Sequence, residues 1–182
     1  MTTSTDLRTQ AVTALKGATS AAANVFSPRD WPTWSGAYPV LFVTTPNESG
    51  ESQGRNGPPQ FTVTTTLRVT ARVQTKLKPL DAGAAEALSA LEAMREQIKV
   101  ALINYPPLMD LLQQYPSFRS TMDVSDDGGL HLGELTLELE MEFYQGPEDF
   151  YPIPTVPLAG IDLTVEEPNG VTRPGLTINY TQ

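Results

Sequence analysis

Hydrophobic and polar residues alternate along two stretches of the chain, and each stretch predicts a β-strand. In residues 134–143, leucine, methionine and phenylalanine take every second position, and the opposite face carries Glu134, Glu138, Glu140 and Glu142. Carboxylates two residues apart on one strand face lie roughly 7 Å apart and repel one another. We call these four glutamates the acidic row, and we expect water, cations or basic side chains to cover it.

The second alternating stretch, residues 61–73, carries Arg68 and Arg72 among threonines on its polar face. If it lies antiparallel beside residues 134–143, these arginines face the acidic row, and each exposed pair contributes about 0.2–1 kcal/mol. Three interpretations of the row stay open at this point. It is a solvated sheet face, a set of cross-strand ion pairs, or the acidic lining of a channel or ring.

Helical spacing of apolar residues predicts two main helices, over residues 4–18 and 80–103, with Asp81 as the N-cap of the second. A short apolar strand is predicted over residues 38–45. Residues 108–114 are predicted to add two helical turns after a pair of prolines.

Residues 46–60 are rich in glycine, proline and asparagine and predict a long loop. Loops of about fifteen residues are uncommon in compact domains and are usually functional or disordered. Glu48, Glu51, Arg55 and Asn56 are therefore the candidate partner-binding residues.

The order of these elements predicts an α+β fold, in which a small, mainly antiparallel sheet is covered by helices on one face. Residues 1–145 form this domain. Residues 146–182 are Pro-rich, with two short alternating runs around a turn signal, and are expected to form an extended C-terminal arm along the domain or along a neighbouring molecule.

Composition narrows the classes of function. A net charge of -9 over 182 residues argues against a general nucleic-acid binder, which normally presents a basic face. The sequence has no cysteine, so disulfides and thiolate metal sites are excluded. We find no transmembrane stretch and no signal peptide pattern, and we expect a soluble protein of the compartment that makes it.

The residue patterns typical of enzymes are missing from the sequence. His131 is the only histidine, and a lone histidine is far more often structural than catalytic. Residues 123–129 are predicted to form a polar turn, because they lack the ligand spacing and the final glutamate of a calcium loop. We therefore expect no enzyme activity, no cofactor and no metal.

An ordered series of short features gives the chain a family resemblance over residues 5–145. The order and spacing of these features agree with those of one known family. The features are Leu7-Arg8 and Ala14-Leu15 in the opening helix, Tyr38-Pro39-Val40 before the short strand, the alternating strand 61–73, the helix 80–103, Leu108–Leu112 between prolines, Asp126–Leu130 and the strand end Met141–Phe143. In this respect the chain resembles the lambda-type phage tail terminator family, also called minor tail protein U.

The resemblance implies a structural role in the virion, at the head-proximal end of the tail, after assembly in the host cytoplasm. Members of the family form a ring, typically a hexamer, that caps the tail tube protein, ends tube polymerisation and provides the docking surface for a head-completion or connector protein. Genomic DNA passes through the lumen without specific binding, and no membrane is involved. No catalytic residue belongs to the family.

Under this hypothesis, the acidic row with Arg68 and Arg72 is a candidate lumen face or intersubunit face. Strands 61–73 and 134–143 are candidates for a sheet that continues around the ring, with residues 146–182 clasping a neighbour. Two alternatives remain open: a head–tail connector or neck protein of the same virion, and a monomeric adaptor that binds peptides at a sheet edge.

Overall fold

The computed structural model contains two compact units, Met1–Asp149 and Phe150–Gln182. The residues that the structure describes are 1–27, 36–54, 57–126, 129–151, 160–166, 168, 170 and 172–179.

The first unit has the α+β fold expected from the sequence. Its helices are α1 (Ser4–Leu15), α2 (Ala82–Ile103) and α3 (Pro106–Met109), and a 3-10 turn covers Pro79–Asp81. Its strands are β1 (Val25–Phe26), β2 (Val40–Ser52), β3 (Phe61–Lys76), β4 (Phe118–Asp126) and β5 (Leu130–Gln145). A fourth helix, α4 (Pro147–Phe150), ends one residue past this unit.

These five strands form one sheet in the order β1-β2-β3-β5-β4, in which β1 is parallel to β2 and the other pairs are antiparallel. Strands β3 and β5 pair without interruption from Phe61 opposite Gln145 to Lys76 opposite Leu130. Both are longer than the sequence predicts, since the alternation fades before the backbone pairing ends.

The core lies on one face of the sheet, beneath α1 and α2. Alternate residues of β3 and β5 point into it, and the polar residues between them lie on the other face. The largest fully buried side chains are Leu7, Leu15, Leu41, Leu67, Leu91, Met94, Ile98, Leu102, Leu108, Leu135, Leu137 and Phe143.

Helix α1 begins with a capping box, in which the Thr3 hydroxyl accepts from the Asp6 amide and the Asp6 carboxylate accepts from the Thr3 amide. The helix ends at Leu15, three residues before its predicted end. Lys16 is already extended, and Gly17 has a φ of 75°, which suits glycine in the left-handed region.

Helix α2 begins at Ala82 rather than at residue 80. Leu80 and Asp81 both have positive φ values, of 57° and 54°, so neither continues a right-handed helix. Asp81 occupies the N-cap position that the sequence predicts, but its side chain makes no capping hydrogen bond.

The predicted loop over residues 46–60 is wrong in its first half, because β2 runs on to Ser52. A bulge lies between Thr44 and Asn47, and pairing with β3 then resumes from Asn47 opposite Thr66. Pro46 falls in this bulge, where its missing N–H removes no ladder hydrogen bond. The sequence pattern missed this half of the strand because its residues are polar on both faces.

Strand β4 is a second correction. The polar turn predicted over residues 123–129 begins as strand, since β4 pairs with β5 from Phe118 opposite Leu139 to Asp126 opposite His131. The serines, threonine and aspartates of β4 hide its alternation.

The two helical turns predicted over residues 108–114 are reduced to the end of α3, which stops at Met109.

The second unit contains an antiparallel pair of strands, β6 (Gly160–Glu166) and β7 (Thr172–Asn179). These are the two alternating runs of the predicted arm. Residues 152–159, where three of the prolines of that arm are found, lie outside the described residues. No helix in the described part of the chain is long and apolar enough to cross a membrane.

Candidate functional site: the polar face and the edges of the sheet

The acidic row lies on the sheet face opposite the helices, together with the two predicted arginines. In the register of β3 and β5, Arg68 is directly opposite Glu138 and Arg72 is directly opposite Glu134. Residues directly opposite each other in an antiparallel pair share a face and interact. The cross-strand interpretation of the row is therefore confirmed for Glu134 and Glu138.

Glu138 is held by two arginines from the strands on either side of β5. The Arg68 Nε and Nη2 atoms lie 2.9 and 2.8 Å from Oε1 of Glu138, and the Arg119 Nη2 atom lies 2.7 Å from Oε2. Hydrogen bonds from Arg119 first, and then from Arg68, hold the pKa of Glu138 below its ordinary range. We call these residues the arginine–glutamate triad.

Sequence reasoning missed Arg119, the third member of the triad. Arg119 lies opposite Glu138 on β4, and β4 itself was not predicted. The available signal was weak: Phe118, Ser120, Met122 and Val124 alternate, but with only three apolar side chains.

The pair at the other end of the row is simpler. The Arg72 Nε and Nη2 atoms lie 2.7 and 2.6 Å from Oε2 of Glu134. The Arg72 side chain is 24% exposed and that of Glu134 is 39% exposed, so water screens this attraction.

Glu140 and Glu142 have no cationic partner among the described residues and accept hydrogen bonds from neutral groups instead. The Ser117 hydroxyl lies 3.0 Å from Glu140 Oε2, and the Gln114 amide nitrogen lies 2.9 Å from Glu142 Oε1. The backbone before β4 also pairs with β5, through Ser117 O and Gln114 O. Within the described ranges, these two carboxylates are the part of the row that no cation neutralises.

An open groove of about 520 Å³ runs over this face. The residues that line it are all polar or charged and carry both signs of charge, and they are Asn47, Thr66, Arg68, Ser117, Arg119, Glu138 and Glu140. Within the described residues, no cluster of three or more His, Cys, Asp or Glu side chains could hold a metal ion.

His131 lies away from this groove, on the helical side of the sheet. It is 7% exposed, and its ring lies so close to Gly83 that a Cβ on Gly83 would be 2.7 Å from the His131 Cδ2 atom. The packing of α2 against β5 thus accounts for the position of the histidine.

The four predicted partner-binding residues do not form one loop site. Glu48 and Glu51 are exposed residues of β2, and the Glu48 carboxylate accepts a hydrogen bond from the Ser4 hydroxyl at the start of α1. Glu48 lies opposite Thr65, which is buried, whereas Glu51 lies opposite Thr62 on the other face. Arg55 and Asn56 lie outside the described residues.

The sheet order also corrects the prediction of which strands continue the sheet into a neighbour. Strands β3 and β5 are central, and each has a partner on both sides. Among the described strands, the outer edges belong to β4, to the two-residue strand β1 and to the part of β2 beyond Phe42, which β1 does not cover. An extension of the sheet over more than two residues therefore starts at β4 or at this part of β2.

Comparison with protein families and with curated proteins finds no match for this chain. The family resemblance therefore rests on the residues and on the order of elements given above.

Proposed function

We propose that the chain is a virion structural protein that forms a ring at the head-proximal end of a phage tail. The ring, expected to be a hexamer, caps the tail tube, ends tube polymerisation and provides the docking surface for a head-completion or connector protein. The resemblance supports this function through the order of its elements, which the fold preserves: helix, strand, alternating strand, long helix, short proline-flanked helix and final acidic strand.

One observation of the fold carries the self-assembly part of the proposal, namely the free outer edge of β4. This strand pairs with β5 over nine consecutive residues without a bulge. Such an edge presents a row of unpaired backbone N–H and C=O groups, and natural proteins cover, twist or charge these edges. A head-to-tail contact that uses this edge in every copy closes a ring when the rotation from copy to copy completes a full turn.

Tail length in virions is the decisive measurement. When the gene is deleted from the phage that encodes it, we expect overlong or headless tails in electron micrographs, and we expect the full-length protein in trans to restore the length. Tails of normal length that fail to join heads would instead favour the connector alternative. If deletion changes neither length nor joining, both virion roles are wrong, and the peptide-binding adaptor becomes the better explanation.

A further inference from the structure

The second unit exposes an apolar face. Ile161 lies opposite Ile178, and the pairing shifts by one residue between Asp162 and Thr164, where β7 carries the extra residue. By alternation along each strand from this pair, Leu163 and Val165 share the side of Ile161, and Leu176 shares the side of Ile178. We call this side the hairpin face. Its members are between 37% and 59% exposed, and they are Ile161, Leu163, Val165, Leu176 and Ile178.

A two-stranded hairpin is marginally stable in water without a further surface to cover its apolar side. Each of these five side chains contributes to folding only if it leaves water. The two strands of the hairpin lie close together, since a Cβ on Gly175 of β7 would be 2.2 Å from the Leu163 carbonyl oxygen of β6. The hairpin is thus formed but incompletely covered.

In the first unit, the edge strand β4 is also incompletely covered. Phe118, Met122 and Val124 lie opposite core residues or Gly133 of β5 and so point to the helical side of the sheet. Met122 and Val124 are half-buried, but Phe118 is 56% exposed, and its ring is 5.3 Å from Lys99 Nζ of α2.

The side of helix α2 that carries Lys99 is mainly charged. Leu88 and Ile103 lie eleven residues before and four residues after Lys99, spacings that return to the same side of a helix. They are 42% and 39% exposed. Glu92, Arg95 and Lys99 lie between them at helical spacing, so the exposed apolar side chain on this side of the β4 edge is Phe118.

We propose that the hairpin β6–β7 of a second copy of this chain adds to the outer edge of β4. This extends the sheet from five strands to seven and places the hairpin face on the helical side of the sheet, next to Phe118, Met122 and Val124. Added strands bind through main-chain hydrogen bonds, and their alternate side chains enter the apolar surface. The lengths match, since β4 has nine residues and β6 and β7 have seven and eight.

Two further observations favour the β4 edge as the acceptor and the hairpin of a second copy as the donor. The part of β2 beyond Phe42 contains a bulge and Pro46, which make an edge a poorer template for strand addition, whereas β4 has neither. In the hairpin, the extra residue of the register shift and Pro174 both lie in β7, so β6 is the strand without an irregularity. Each chain carries one hairpin and one β4 edge, so every copy donates once and accepts once. This is the head-to-tail arrangement that a closed ring requires, and in this respect the inference rests on the proposed function.

The absence of cysteine makes the contact testable by crosslinking. Thr121 lies opposite Thr136 on the polar face of the sheet, and Thr177 precedes a member of the hairpin face and so lies on the other side of the hairpin. In a continuous sheet both point to the same side. We would mix full-length T121C with full-length T177C and treat the mixture with a short bismaleimide, both at high concentration in solution and in tails assembled from the two variants.

We expect a crosslinked dimer from the mixture and no dimer from either variant alone. The chain with both substitutions should give a ladder of oligomers. Internally crosslinked monomer from the doubly substituted chain would overturn the inference, because the hairpin would then occupy the edge of its own chain. Dimers of T121C alone, which indicate pairing of two β4 edges, or no crosslink at all would overturn it as well.

The hairpin face is tested separately by the double variant Leu163→Asn/Leu176→Asn. Because two leucines lose their burial at the contact, we expect association to weaken about tenfold or more, as measured by analytical ultracentrifugation. Thr164→Asn, which changes the opposite side of the hairpin, is the matched control and should associate like the natural chain. Equal association of both variants would contradict the assignment of this face.

Failure of the inference is distinguishable from failure of the proposed function. If the protein is present in tails and controls their length, but T121C and T177C do not crosslink there, only the strand-addition contact is wrong. If the protein is absent from tails and their length is normal in its absence, the proposed function is wrong. In that case the crosslinking in solution still decides whether two copies pair.

Discussion

At the scale of single residues, Glu138 is the most constrained polar side chain of the exposed sheet face. It is 16% exposed and binds Arg68 from β3 and Arg119 from β4, so it joins three strands. Both guanidinium groups stabilise the ionised carboxylate, and the pKa of Glu138 in the folded chain is therefore lower than its ordinary value of 4.5. The stabilisation is present above the ordinary value and is lost as the pH falls through the folded-state pKa.

The substitution Glu138→Gln tests this coupling. We expect it to lower the free energy of unfolding at pH 7 by about 1 kcal/mol or less, because the arginines are 40% and 79% exposed and water screens them. The difference from the natural chain should shrink as the pH falls below 4.5. Urea unfolding at several pH values measures this difference in the free energy of unfolding. Glu140→Gln is the control, because the Glu140 carboxylate has no described cationic partner. A difference that is independent of pH would contradict the role of the charge.

At the scale of elements, α2 carries two kinds of leucine that the sequence pattern does not separate. Leu91 is fully buried, and the absence of a side chain at Gly133 leaves room for it, because a Cβ there would lie 3.0 Å from Leu91 Cδ1. Leu88, three residues earlier, is 42% exposed. The helix thus packs against its own sheet with one stripe and leaves Leu88 outside it.

The pair Leu91→Ala and Leu88→Ala separates these two kinds of leucine. We expect Leu91→Ala to lower the free energy of unfolding by about 2–5 kcal/mol, since it leaves a cavity in the core. Leu88→Ala should change it by only about 0.5 kcal/mol, because little contact is lost at an exposed position where alanine favours the helix. Denaturant unfolding of both variants measures the difference. Equal losses would show that Leu88 belongs to the core of its own chain.

At the scale of the whole molecule, the charge of the polar sheet face is partly neutralised within the chain. Three arginines pair with Glu134 and Glu138, while Glu140 and Glu142 keep uncompensated charge among the described residues. Glu138 is left out of the charge-reversal test, because a lysine there would face the guanidinium groups of Arg68 and Arg119. If the face lines a channel for DNA, Glu140 and Glu142 are the residues that repel it.

The substitution pair Glu140→Lys/Glu142→Lys is therefore the test of the lumen hypothesis. We expect normal folding and ring formation but slower DNA ejection, because two added cations would bind the phosphate backbone. Glu92→Lys, an exposed charge reversal on α2, is the control and should leave ejection unchanged. Ejection kinetics of complemented phage measure the effect. If they stay normal with both variants, the acidic row does not face the DNA.

The sequence by itself determined the features that have a local period. Alternation assigned the faces of β3 and β5 and so placed Arg68, Arg72 and the acidic row on polar strand faces, and helical spacing assigned the buried stripe of α2. These predictions succeeded because a side chain's face depends only on its position within one strand or helix.

The tertiary structure decided the order of the strands, the length of β2, the existence of β4 and the edge that stays free. Polar strands such as the end of β2 and most of β4 are held by backbone hydrogen bonds, which almost any side chain permits, so their composition does not reveal them. Arg119 joined Glu138 for the same reason, through a pairing between strands that no local pattern records. The candidate interface at β4 is thus a property of the folded sheet and not of any segment of the sequence.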